Sequence, residues 1–125
     1  MRSVDVKYML LIYSNRANAE AMSVEEQHSI LGEVDAIIHE LTESGEWIGG
    51  EALADPLHAK TVRVRGGVPA VTDGPFVEAK EHFAGYCLVE CDSLERALAI
   101  AARWPDARSG AMEVRPIMDG GGMEL

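Results

Sequence analysis

Two cysteines in 125 residues are too few for a disulfide framework. Cys87 and Cys91 lie four apart in one β-rich run, about 13 Å from each other at ~3.3 Å per residue, so they cannot bond together. They read as small core hydrophobes in a chain suited to a reducing compartment. Basic residues are scarce too: 11 Lys and Arg stand against 21 Asp and Glu, a net charge of −10. A surface of that sign repels phosphate backbones and anionic lipid, which argues against nucleic acid and membranes as partners. No apolar run approaches the ~20 residues that cross a bilayer. The opening Met1-Arg2-Ser3-Val4-Asp5 lacks the pattern of a signal peptide, so a cytoplasmic location is expected. There is no Walker loop, dinucleotide glycine pattern or nucleophile elbow, and no cofactor is expected.

What is present is a globular composition, 47% hydrophobic and 26% charged, in a length that fits one domain. Residues 1–125 are read as that domain, with a core of about 6–117 and a flexible glycine-rich tail at 119–125. The apolar run from Val6 to Tyr13 predicts a strand, and a polar loop with Asn15 and Asn18 follows it. Ser23-Val24-Glu25-Glu26 is a capping box, and Val24, Leu31, Val34, Ile38 and Leu41, widened by Ile30 and Ile37, continue it as an amphipathic helix that Gly45 ends. Trp47 to Leu53 is strand-like until Asp55-Pro56 breaks it. Thr61 to Arg65 is strand-like too, and Gly66-Gly67 turns the latter back into a short strand at Ala70 to Thr72. Asp73-Gly74-Pro75 interrupts before Phe83 to Cys91. A second cap at Ser93 opens a helix with Leu94, Ala97, Leu98 and Ala101 on one face, closed by Trp104-Pro105, and Met112 to Ile117 is the last strand.

This order predicts an α+β fold, a ferredoxin-like β-α-β-β-α-β with an extra hairpin strand and both helices on one face of an antiparallel sheet. The sheet's second face is then unaccounted for. Val6, Tyr8, Leu10 and Ile12 alternate with Lys7, Met9, Leu11 and Tyr13, and Tyr86 and Leu88 with Cys87 and Val89, so both sides are substantially apolar. Two helices cover one side only, and a second copy of the sheet is the economical cover for the other. A homodimer follows.

Several segments in order resemble the YCII-related family in its DGPF branch: Lys7-Tyr8-Met9-Leu10-Leu11-Ile12-Tyr13, Lys60-Thr61-Val62-Arg63-Val64-Arg65, Val71-Thr72-Asp73-Gly74-Pro75-Phe76, Glu78-Ala79-Lys80-Glu81, Gly85-Tyr86 and Glu113-Val114-Arg115-Pro116. The resemblance covers roughly residues 6–117. It implies a dimeric α/β barrel of ferredoxin-like protomers packed sheet to sheet around a pocket, with a presumed enzymatic role and some links to sigma-factor genes. Shorter members carry a His-Asp pair on the first helix. Here His28 is present, but Ser44 precedes Gly45 and the nearest carboxylate is Glu43, so that pair does not transfer.

Asp73 admits two readings. At a strand end it can serve as a general acid or base, but Asp-Gly-Pro is also good turn chemistry. Arg63 and Arg115 are candidates to grip an anionic small molecule, with pairing to nearby carboxylates as the alternative. Glu81 and His28 complete the candidate binding set. Glu81 and His82 are a conceivable proton-transfer pair, but neighbours on a strand point opposite ways and do not face one pocket, so Lys80, Glu81 and His82 read as a solvated loop. His28, Asp35 and His39 share one line of the helix, but His28 is two turns from Asp35, and no metal site is assigned. Two functions remain open. One is a cofactor-independent acid/base enzyme using Asp73, and the other is a non-catalytic sensing module that engages a protein such as a sigma factor.

Overall fold

The computed structural model describes residues 5–118, so the glycine-rich tail lies outside the described residues. Strand β1 (Val6–Asn15) is followed by a short helix α1 (Arg16–Glu20) and the long helix α2 (Val24–Ser44). Strand β2 (Trp47–Ala52) leads through a 3₁₀ turn at Pro56–His58 into β3 (Lys60–Arg65) and β4 (Val68–Asp73). The chain closes with β5 (Glu81–Cys91), α3 (Leu94–Arg103), the short α4 (Asp106–Ser109) and β6 (Ala111–Pro116). The result is a mixed α+β structure with antiparallel sheets, compatible with a ferredoxin-like fold.

Four strands pair in the order β2-β5-β1-β6. One face of this sheet carries Tyr8, Leu10, Cys87, Val89 and Cys91, all buried against Ile37 and Leu41 of α2 and Ala97, Ile100 and Ala101 of α3. Each fully buried Leu, Ile or Val contributes about 1.5–3 kcal/mol relative to exposure. Trp47 and Trp104 stack with ring planes 3° apart and centroids 6.5 Å apart, sealing one side of the core. Ion pairs fasten the helices: Glu46 accepts two hydrogen bonds from Arg96 at 2.8 Å, Glu33 accepts two from Arg108 at 2.9 and 3.0 Å, and Arg103 donates to Glu40.

The capping box of α2 is formed in both directions, with Glu26 N–H donating to Ser23 Oγ at 3.1 Å and Ser23 N–H donating to Glu26 Oε1 at 3.0 Å. Gly45 ends the helix in the left-handed region at φ 82°. The apolar stripes differ from the sequence pattern at their edges. Val24 and Leu31 are exposed on α2, as are Leu94 and Leu98 on α3, whereas Ile37 and Leu41 are buried as the stripe predicts and Ile100 and Trp104 join them. A real helix turns 100° per residue, so the ends of a long repeat drift off the buried side.

Three further differences concern the chain between helices. The polar segment after β1 closes into α1, because the Asn15 side chain accepts from Asn18 N–H at 3.0 Å and caps it. Glu81 and His82 belong to β5, paired with Asn15 and Ser14, rather than to a loop. Strands β3 and β4 pair only with each other, so the hairpin stands apart from the four-stranded sheet instead of extending it.

The second face of the sheet carries Met9, Leu11 and Tyr13 of β1 beside Tyr86 and Leu88 of β5, half-buried with no helix over them among the described residues. Glu51, Glu113 and Arg115 border this patch on the neighbouring strands.

Candidate active site

The excursion from β2 to β5 folds back on the end of the sheet and creates a cleft there. Asp55 starts the bend: its Oδ1 accepts from Leu57 N–H at 2.8 Å, and Pro56 fixes φ for the first turn residue. The same Oδ1 accepts from Arg16 Nη2 at 3.0 Å, which ties the bend to the start of α1. On the far side of the hairpin, Gly74 adopts φ 92°, a conformation an L side chain rarely takes. Gly74 N–H donates to the Ala59 carbonyl at 2.8 Å and Thr61 Oγ1 donates to the Gly74 carbonyl at 2.8 Å, so the two ends of the hairpin are laced together.

Between these anchors lies a cleft of about 580 Å³, with Tyr13, Leu53, Pro56, Pro75, Phe76, Val77 and Phe83 as apolar walls. Asp55, His58, Glu81 and His82 are its ionisable members. A register shift in the β1–β5 ladder brings Phe83 opposite Tyr13, with ring centroids 5.8 Å apart. Tyr13 donates its hydroxyl to Glu113 Oε1 at 3.2 Å, and burial followed by that carboxylate pushes the phenol's pKa up. Glu81 Oε2 accepts from Asn15 Nδ2 at 3.4 Å. A second depression, about 380 Å³, shares Asp55, Pro56, Pro75, Val77 and His82 with the first and adds Arg16, Asp73 and Lys80.

Asp55 is the most strongly held carboxylate of this group. The Arg16 hydrogen bond first, then the Leu57 N–H, keep its pKa below the usual range. His82 is half-buried and lines both depressions.

The residues singled out from the sequence are spread over several surfaces. Asp73 is 88% exposed and paired with Lys60 Nζ at 2.5 Å across the β3–β4 ladder, on the wall of the second depression. Arg63 lays its guanidinium over the Phe76 ring, 4.7 Å from the centroid, in a separate groove along β3. Arg115 stands on the open sheet face, 3.9 Å from Glu113. His28 lies on the exposed side of α2. Glu81 is the one that lines the aromatic cleft. A single chain therefore does not bring Asp73, Arg63 and Arg115 to a common cavity.

Arg16, Asp55, His58 and His82 were not selected from the sequence. Asp55-Pro56 read as a strand breaker, and Glu81-His82 read as a pair that could not face one pocket. Both of the latter line the cleft, which lies at the very start of β5. The available signal was that His58 and His82 flank the two ends of the hairpin excursion.

Comparison with known proteins matches residues 6–120 to the YCII-related domain. The chain belongs to the YCII-related family. An uncharacterised protein of Rhizobium meliloti (strain 1021) is 33% identical over 112 residues, spanning 88% of this chain and 90% of that one. Among the described residues of this YCII-related chain, no helix is long and apolar enough to cross a membrane.

Proposed function

We propose that this YCII-related protein, of the DGPF branch, is a homodimer that binds a small molecule with an apolar body and a polar head in the aromatic cleft. The observation that carries the reading is the cleft itself: three aromatic rings and two prolines enclose about 580 Å³, with ionisable groups beside them. Ligand sites are typically concave and mostly apolar, with a few polar groups that fix orientation. Asp73, ion-paired and open to water, stands beside this cleft, so we assign acid/base work to the cleft's own side chains.

The second copy is supported by the sheet face bearing Met9, Leu11, Tyr86 and Leu88, which no helix among the described residues covers. Contiguous apolar surface of this kind marks an interaction site in soluble proteins. Packing two such faces would form the dimeric α/β barrel.

Screening aromatic carbonyl and carboxylate fragments by thermal shift tests the binding reading. Hits are expected to weaken at least tenfold in Phe83→Ala and Phe76→Ala, and to be unaffected by His28→Ala. Hits that bind both cleft variants as tightly as the wild type would refute it.

A further inference from the structure

We infer that His82 is the proton-transferring group of the aromatic cleft, positioned by Asp55, and that the ligand is a small apolar carbonyl compound with an acidic C–H beside the carbonyl. This inference rests on the cleft being the ligand site. His82 lines the aromatic cleft, the depression holding Asp73, and a third one beside Arg16 and Ser14. It thus stands where the apolar interior meets the polar edge. Asp55 lines the same three depressions, and both of its hydrogen bonds, from Arg16 and from Leu57 N–H, fall on Oδ1. Oδ2 takes part in neither, and among the described residues Asp55 and His82 share the cleft without a hydrogen bond or ion pair between them, so Asp55 positions the imidazole only through its charge. A neighbouring carboxylate favours the cation that an imidazole becomes when it accepts a proton.

The ligand class follows from the wall chemistry. Tyr13, Phe76 and Phe83 favour a flat apolar body, which leaves one polar head to be met by imidazole and carboxylate groups. The step balances without any co-reactant. The neutral His82 imidazole takes the proton from carbon, and the C–H electron pair moves into the carbonyl to give an enolate. His58, the cleft's other imidazole, donates a hydrogen bond to the oxygen. The proton then returns from His82 to carbon, at the same or a conjugated position. The net result is exchange or isomerisation with nothing consumed. His82 would touch the substrate, whereas Asp55 acts through His82 as a positioning residue.

The test uses the full chain with phenylacetone and 4-phenyl-2-butanone as probes, following binding by thermal shift and deuterium entry at the α-carbon by proton NMR in heavy water. Wild type is expected to speed exchange above buffer. His82→Gln should lower it by about a hundredfold, the usual scale of general-base catalysis, with binding kept within twofold. Added imidazole should restore exchange in His82→Ala, a rescue that a purely structural role would not give. Asp55→Asn should cost less than His82→Gln, and Asp73→Asn should leave exchange unchanged. Binding without exchange in the wild type, or full exchange in His82→Gln, overturns the inference and leaves the binding site standing. Failure of both probes to bind overturns the ligand class and with it the inference. Loss of every cleft-directed ligand overturns the underlying reading as well.

Discussion

The body of the molecule and the excursion between β2 and β5 are built from similar apolar residues and end in opposite conditions. In the body, Leu10, Leu41, Val89 and Ile100 meet one another and are sealed from water. In the excursion, Val62, Val64, Val68 and Val71 are each more than half exposed, and so are Phe76 and Val77. The β3–β4 hairpin alternates as a strand should, but a two-stranded ribbon has no layer to bury its apolar side against. Stability resides in the body. The excursion supplies part of the cleft's walls together with Asp55 and His58, while Tyr13, Glu81, His82 and Phe83 come from the end of β1 and the start of β5. Loop residues thus complete a site begun on the rigid scaffold.

Thiol labelling should separate the two regions most widely. Cys87 is buried and its thiol is pushed up to about 12 by desolvation, and burial raises Cys91 as well. With Ellman's reagent at pH 8, both should react about a thousandfold or more slower than a free thiol, because reaction waits for opening of the body. A cysteine placed by Val62→Cys should react at nearly the free rate. Equal rates at the two places would erase the contrast.

Truncation comes next. Leu10→Ala is expected to cost about 2–5 kcal/mol in urea unfolding, the range for a large side chain removed from a packed core. Val62→Ala should stay within about 0.5 kcal/mol, as an exposed substitution does. A large loss at Val62 would mean that something covers the hairpin in solution.

The ion pairs give a smaller version of the same contrast. Arg96→Met strips two hydrogen bonds from Glu46, whose side chain is only 12% exposed, and should cost about 2 kcal/mol. Lys60→Met breaks a pair in open water and should change stability by about 0–1 kcal/mol.

Acid should act on both regions alike, and the effect should be the smallest. Glu33 and Asp55 are held below their ordinary pKa values, by hydrogen bonds from Arg108 and Arg16 respectively. A carboxylate whose pKa falls on folding adds stability above its unfolded value, near 4, and loses it as pH drops through the folded value. The stability gap between wild type and Glu33→Gln or Asp55→Asn should therefore close as pH falls below about 5 and through each group's lowered folded value. A gap that stays constant with pH would show that the ion pairs do not set those pKa values.

Much of the body was legible in the sequence because its signals are local. Ser23 and Glu26 are three residues apart and Gly45 follows directly, so α2 declares both ends. The alternation of Val6 to Tyr13 fixes which side chains share a face, whatever the neighbours are. The excursion was less legible because its determinants are distant in sequence. The Arg16–Asp55 pair spans 39 residues and the Asn15–Glu81 contact 66, and no spacing rule joins them. Periodicity also says that β3 and β4 are strands, but not that they decline to join the sheet. Asp73 drew attention through its turn motif, whereas His82 became notable only once the start of β5 was seen to line a cleft.

Dimerisation depends on the open sheet face, where Leu88 sits among Met9, Leu11 and Tyr86. Sedimentation equilibrium at micromolar concentration is the direct measurement, run on wild type and on Leu88→Glu with circular dichroism to verify folding. The wild type should sediment at twice the 13.6 kDa chain mass, and the folded variant as a single chain. A well-folded wild-type monomer, or a Leu88→Glu variant that remains a dimer, would contradict it.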